Sequence, residues 1–185
     1  MKRIFDYLLA LALVPVALPV VGIAMLAIRL ESPGPALFRQ TRVGRDERPF
    51  TCYKLRTMRS DTVDGPSHEI GTTSITRSGS FLRRTKIDEL PQIANILKGE
   101  MSLVGPRPCL PSQEELREER RTRGVYRLLP GITGVAQVAG YDMSEPERLA
   151  RKDAEYIGRE TLGNDLKIIL QTVMGGGQGD AASKL

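Results

Sequence analysis

The chain has 185 residues, 41% of them hydrophobic and 5% aromatic, and carries a formal charge of +5. That length suits one domain with a small appendage, and the basic balance calls for anionic partners such as lipid headgroups or phosphorylated substrates. Tryptophan is absent and aromatics are scarce, which argues against the stacking platforms of single-stranded nucleic-acid binders; Cys52, Cys109 and His68 are the only cysteines and histidine, too few for a Cys/His zinc site within one chain.

The first element is hydrophobic. No charged residue lies between Asp6 and Arg29, and Tyr7 to Ile28, at ~1.5 Å per helical residue, is long enough for a bilayer core of ~30 Å. Pro15 and Pro19 interrupt it. Proline removes an N–H and crowds the carbonyl four residues back, so a break is expected at Leu18-Pro19. Lys2 and Arg3 precede the segment, and Arg29, Arg39, Arg42, Arg45 and Arg48 follow it. Basic residues on both flanks fit a straight crossing poorly, because both favour the cytoplasm. A re-entrant helix satisfies both flanks; a plain transmembrane anchor is the competing reading.

Ser32-Pro33-Gly34-Pro35 should end this helix. Ala36-Leu37-Phe38 and Phe50 to Leu55 read as strands of a hairpin around Gly44-Arg45-Asp46. Residues 60–76 read as a polar surface loop, and Arg77 to Arg84 as a short helix with a basic face. Pro91 to Leu97 is the clearest helix, with Leu90, Ile93, Ala94 and Leu97 at helical spacing and Gly99 as its stop. Residues 111–128 read as a solvated helix whose acidic and basic residues alternate at i,i+4. Residues 145–159 give a second amphipathic helix, and 162–174 a third with Leu166, Ile169, Leu170 and Val173 on one face. The terminal Ser183-Lys184-Leu185 matches a peroxisomal address but follows a glycine-rich run and is read as chance or an added remnant. The expected class is α+β: a proline-broken membrane helix at 1–30, a small, mainly helical domain with a β-hairpin at 31–174, and a flexible tail at 175–185.

Three stretches look built for chemistry. Thr85-Lys86-Ile87-Asp88-Glu89-Leu90-Pro91-Gln92 sets adjacent carboxylates at a helix start, where Pro91 suits the first helical position. Adjacent residues diverge by ~100° on a helix, so the two acids can take different roles; the plain alternative is that acids simply offset the helix dipole there. Gly105-Pro106-Arg107-Pro108 stiffens the backbone around one arginine, a good phosphate ligand through its paired N–H donors, although a surface turn with an incidental arginine reads the same way. Pro130 to Gln137 (PGITGVAQ) implies a tight turn pressed against a ligand or another segment.

In chain order, Lys2-Arg3-Ile4-Phe5-Asp6, the proline-broken segment, Lys54-Leu55-Arg56-Thr57-Met58, the Asp88-Glu89 stretch, residues 97–102 (LKGEMS), Gly105-Pro106-Arg107-Pro108, Pro130-Gly131-Ile132-Thr133-Gly134 and Asp165-Leu166-Lys167-Ile168 form an ordered set. With this set the sequence resembles the bacterial monotopic phosphoglycosyl transferases over nearly its whole length, in their minimal catalytic form. The resemblance implies an enzyme at the cytoplasmic face of the bacterial inner membrane. It would transfer a sugar 1-phosphate from a UDP-sugar to polyprenol (undecaprenol) phosphate, release UMP and so begin assembly of a glycan. It implies a ping-pong mechanism with Asp88 as nucleophile, Glu89 as the partner carboxylate, and Mg²⁺ with Asp88 as a ligand. Arg107, Arg83, Lys54, Arg56 and Gln137 are then the candidates for holding phosphates and substrate, and Pro19 marks the break in the membrane helix. Membrane lipids are expected partners and nucleic acid is not; the oligomeric state stays open. The sequence leaves the sugar open; family habit points to an N-acetylated hexosamine, with or without a deoxy position. Leu18 stands where the family often has serine, and Leu129 and Gly140-Tyr141-Asp142 depart from its pattern near positions suited to sugar or nucleotide contacts. The alternative is a non-catalytic, membrane-anchored interaction protein.

Overall fold

The computed structural model describes residues 2–59 and 74–175. Most of the loop read at 60–76, with His68, and the tail from residue 176, with Ser183-Lys184-Leu185, lie outside the described residues. Helix α1 (Lys2–Glu31) is followed by strands β1 (Leu37–Val43) and β2 (Pro49–Leu55), helix α2 (Arg77–Thr85), a 3₁₀ helix (Ile87–Gln92) that runs into α3 (Ile93–Leu97), strand β3 (Ser102–Val104), helix α4 (Glu114–Thr122), strand β4 (Gly131–Thr133), and helices α5 (Val135–Val138), α6 (Pro146–Ala154) and α7 (Leu162–Val173).

Two small sheets organise these elements. β1 and β2 form the expected antiparallel hairpin, paired from Leu37 opposite Leu55 to Val43 opposite Pro49. β3 and β4 pair in parallel, Ser102 with Gly131 and Val104 with Thr133. This second sheet was not foreseen, since strands of three residues are too short to show a period of two. It explains the glycines around it: a Cβ on Gly131 would come within 2.1 Å of the Gly105 nitrogen, and one on Gly105 within 2.2 Å of the Leu129 oxygen. The tight approach inferred at 130–137 is therefore made by the 105–106 backbone.

α1 lies along this body. Asp6, Ala10, Ala17, Ala24 and Ile28 form its buried stripe, at the four- and seven-residue spacing of one helix face. Ala10 and Ala17 pack with Cys52, Ile93, Ile96 and Met101; Ala24 and Ile28 pack with Ala36, Leu55 and Leu82. The opposite face is apolar and bare: Ile4, Leu8, Leu11, Val16, Leu18, Ile23, Leu26 and Leu30 are 61–80% exposed. Both ends are tied down. Lys2 pairs with Asp165, and buried Asp6 accepts from Ser102 Oγ at 2.8 Å and the Leu103 amide at 3.3 Å. At the other end, Glu31 accepts from the Arg77 and Ser78 amides at 2.7 and 2.9 Å.

The expected break at Pro19 is not an interruption. Helical backbone runs through Pro15 and Pro19 from Lys2 to Glu31. The fixed φ of proline is itself helical, both prolines sit on the exposed face, and the buried stripe holds the segments on either side of them against the same domain. Other boundaries shift for similar reasons. Pro91 lies inside the 3₁₀ helix rather than at a helix start. The solvated helix read over 111–128 is α4 followed by a short 3₁₀ turn at Val125–Arg127. On α7, Leu166, Leu170 and Val173 are exposed while Asp165 and Ile168 are buried, so most of the predicted apolar face points outward.

Candidate active site

The carboxylate pair sits where α2 ends. Lys86 caps α2 in the left-handed region at φ 57°, and the chain turns there into the 3₁₀ helix that carries Asp88 and Glu89. A left-handed residue that is not glycine costs energy, and this one redirects the backbone immediately before the two acids. β2 packs against the 3₁₀ helix, which brings Lys54 to Glu89. The loop after β3 brings Arg107 to the same carboxylate.

Glu89 Oε1 accepts from Lys54 Nζ and from Arg107 Nη2, each at 2.9 Å. Asp88 is 8% exposed, and its carboxylate makes no hydrogen bond among the described residues. The two acids consequently titrate apart. Burial, then the adjacent Glu89, pushes Asp88 up from 3.8 to about 6, against the pull of Lys54, Arg107 and Arg83. Burial also acts to raise Glu89, but the charges and hydrogen bonds of Lys54 and Arg107 outweigh it and hold its carboxyl at about 2. Two adjacent carboxylates thus acquire separate roles. Glu89 is an anion that holds two cations, and the Asp88 carboxylate has no hydrogen-bond partner among the described residues.

The remaining predicted residues divide. Arg83, in the last turn of α2, donates from Nε to Thr57 Oγ1 at 2.8 Å and adds positive potential at Asp88. Arg56 is buried, and its two terminal nitrogens donate to the Ser32 and Pro33 carbonyls at 2.6 and 2.7 Å; it secures the chain as it leaves α1. Gln137 donates to the Ile132 carbonyl at 3.0 Å within its own segment. The structure therefore brings Lys54, Asp88, Glu89 and Arg107 together with Arg83 beside them, and commits Arg56 and Gln137 elsewhere.

Among the described residues no cluster of three or more His, Cys, Asp or Glu side chains could cage a metal ion. A hard cation such as Mg²⁺ does not need one, because it is commonly held by one or two carboxylates with the phosphates of a substrate. Asp88, whose carboxylate has no hydrogen-bond partner among the described residues, is the donor that fits that arrangement.

The sequence pattern described as "Bacterial sugar transferase" matches residues 1–177. The chain belongs to this family. This sugar transferase is 45% identical over 181 residues to a protein of Caulobacter vibrioides named UDP-glucose:undecaprenyl-phosphate glucose-1-phosphate transferase, covering 93% of the present chain and 68% of the relative. It is 38% identical over 188 residues to a protein of the same name from Escherichia coli, covering 95% of the chain and 40% of the relative. It is 37% identical over 179 residues to the UDP-N-acetylgalactosamine-undecaprenyl-phosphate N-acetylgalactosaminephosphotransferase of Aeromonas hydrophila, covering 93% of the chain and 42% of the relative. The chain thus spans about two fifths of the latter two proteins.

One pair in the sugar transferase escaped the sequence reading. Arg120 and Asp153 are both 1% exposed, with Arg120 Nη2 2.6 Å from Asp153 Oδ2. The available signal was position: Arg120 stands four residues after buried Leu116 and so shares its inward face.

Proposed function

We propose that this transferase moves a sugar 1-phosphate from a UDP-sugar to polyprenol phosphate through a covalent intermediate on Asp88. In the first half, an Asp88 carboxylate oxygen bonds to the β-phosphorus, the bond from that phosphorus to the bridging oxygen breaks, and UMP leaves with that oxygen. In the second half, a phosphate oxygen of the polyprenol phosphate bonds to the same phosphorus and the Asp88–phosphorus bond breaks, giving polyprenol diphosphate-sugar and free Asp88. Splitting one difficult transfer into two covalent steps is the usual benefit of a nucleophilic side chain.

The observation that carries this reading is the division of labour at the acid pair: Glu89 is neutralised by Lys54 and Arg107, and Asp88 has no hydrogen-bond partner among the described residues. A carboxylate attacking an anionic phosphate needs cationic charge already in place. Arg107 and Lys54, aligned by Glu89, supply it from one side, and Arg83 raises the potential from α2. Mg²⁺, when bound by Asp88 and the diphosphate, would neutralise further phosphate charge.

α1 supports a monotopic arrangement, with both its ends on the cytoplasmic side of the inner membrane and its bare face turned into one leaflet. Its mean hydropathy reaches 2.6, its bare face is a continuous apolar strip, and both its ends are bound by the same domain. A straight crossing would have to give up one set of those end contacts. This arrangement places Asp88 near the headgroup level, where a lipid phosphate and a soluble nucleotide-sugar can both reach it.

The test is UMP release by purified protein given polyprenol phosphate, Mg²⁺ and, one at a time, UDP-glucose, UDP-N-acetylgalactosamine and related UDP-sugars. The proposal expects one donor to support release and trapped donor-derived sugar phosphate on Asp88 when the acceptor is omitted. Release only with both substrates present and no adduct at Asp88 would refute the covalent route.

A further inference from the structure

Arg107 is the only arginine hydrogen-bonded to Glu89 among the described residues, and its backbone is held at consecutive points. The Pro106 carbonyl accepts from the Gly131 amide of β4 at 2.9 Å, and the Cys109 carbonyl from the Val43 amide of β1 at 2.9 Å. The Pro108 carbonyl accepts from Arg42 Nη1 at 3.0 Å. The Arg107 carbonyl accepts from Arg120 Nη1 at 2.8 Å. Four successive carbonyls are thus taken by donors from β4, α4 and β1.

The bond at Arg107 itself comes from a buried guanidinium whose other two donors are spent on one carboxylate. Arg120 Nε and Nη2 both reach Asp153 Oδ2, at 3.0 and 2.6 Å. Burying two charges is costly, and an ion pair of this kind contributes little net stability compared with apolar side chains of the same volume. A pair that merely joined α4 to α6 would do as well with leucine and methionine. What apolar residues cannot supply is a fixed donor for the Arg107 carbonyl, and a guanidinium held by two bonds to Asp153 presents its third donor in a set direction.

We propose that Arg120, fixed by Asp153, is a positioning residue for Arg107: it sets the backbone from which that guanidinium reaches Glu89 and the phosphate. The assignment rests on the reading of Asp88, Glu89 and Arg107 as the phosphoryl-transfer site. Misplacement of a binding group by about 1 Å can cost about 100-fold in rate, so the expected effect is large for a pair that touches no substrate.

The experiment is a double-mutant cycle on UMP release. Arg120→Met with Asp153→Leu removes the ion pair while keeping its volume, and is expected to lower kcat/KM about 10–100-fold while circular dichroism and the melting curve stay near those of the parent. In an Arg107→Ala background the same change should alter the remaining rate less than about 2-fold, because the positioned group is gone. Equal losses in both backgrounds, or no loss in a folded variant, would overturn the proposal. If the apolar pair does not fold, Arg120→Lys takes its place in the cycle; it keeps the charge opposite Asp153 and removes the donor to Arg107. Deuterium uptake by the peptide spanning residues 103–110 is read in parallel and should rise when the donor is removed; unchanged uptake also overturns the assignment. A parent enzyme that releases no UMP from any UDP-sugar refutes the proposed function instead, and the uptake measurement then decides the positioning role alone.

Discussion

Replacing Asp88 by asparagine should abolish transfer and make the protein more stable. The folded protein holds the Asp88 proton more tightly than the unfolded chain does, with the carboxyl at about 6 instead of 3.8. The ionised form therefore opposes folding; that cost is absent below pH ~4, grows as the pH rises, and is complete above ~6. At ~1.36 kcal/mol per pH unit, the gap between 3.8 and about 6 sets an upper limit of about 3 kcal/mol. Asparagine keeps the shape and removes the charge, so a gain of about 1–2 kcal/mol is expected at pH 8, or about 2–8 °C in Tm for a chain of this length. The assay is thermal unfolding of both proteins in nanodiscs with chelator present, at pH 8 and pH 4.5, because a bound cation would offset the same charge. At pH 4.5 the wild-type carboxyl is largely protonated and most of the difference should vanish. A variant no more stable than wild type at pH 8, or a gain of equal size at both pH values, would refute the account of a buried carboxylate held beside a like charge.

The same titrations predict that UMP release falls about tenfold per pH unit below a midpoint near 6 as Asp88 takes up a proton; Glu89, held well below the usual carboxylate range, adds no second fall in that window. Added Mg²⁺ should move the midpoint to lower pH, since the cation competes with the proton. Glu89→Gln leaves Lys54 and Arg107 without their shared anion and should lower kcat/KM by about 100-fold, read from UMP release. Val16→Lys places a charge on the bare face of α1, where insertion costs about 2.5–3.5 kcal/mol, and should shift the protein from membrane to soluble fractions on flotation. Single cysteines at positions 4 and 35 should react with an impermeant maleimide from the same side of sealed vesicles, with low background because Cys52 and Cys109 are buried; labelling from opposite sides would exclude the monotopic arrangement.

Local signals were legible wherever one stretch of chain carried the whole pattern. The apolar run announced α1, two short strand-like runs flanking Gly44-Arg45-Asp46 announced the hairpin, and Asp88-Glu89 before Pro91 announced an acidic helix start. Periodicity failed where two apolar faces compete, because an exposed leucine and a core leucine look alike in sequence. On α7 that ambiguity concealed that Ile168 and Asp165, not Leu166 and Leu170, face the domain. Arg120 was lost in a run of charged residues that reads as solvated throughout.

By itself the sequence determined the family, the long apolar segment and the acid pair, since these rest on residue identity, order and local spacing. Only the tertiary structure decided what each charge does. Glu89 meets Lys54 and Arg107 across separations of 35 and 18 residues, and that meeting is what parts the two carboxyl titrations. Arg56, two residues after Lys54 and by pattern alone indistinguishable from a phosphate ligand, is spent on the carbonyls that follow α1. The physical reason is common to both: a charged side chain acquires its role from the partner that neutralises it, and partners are chosen by the path of the backbone in three dimensions.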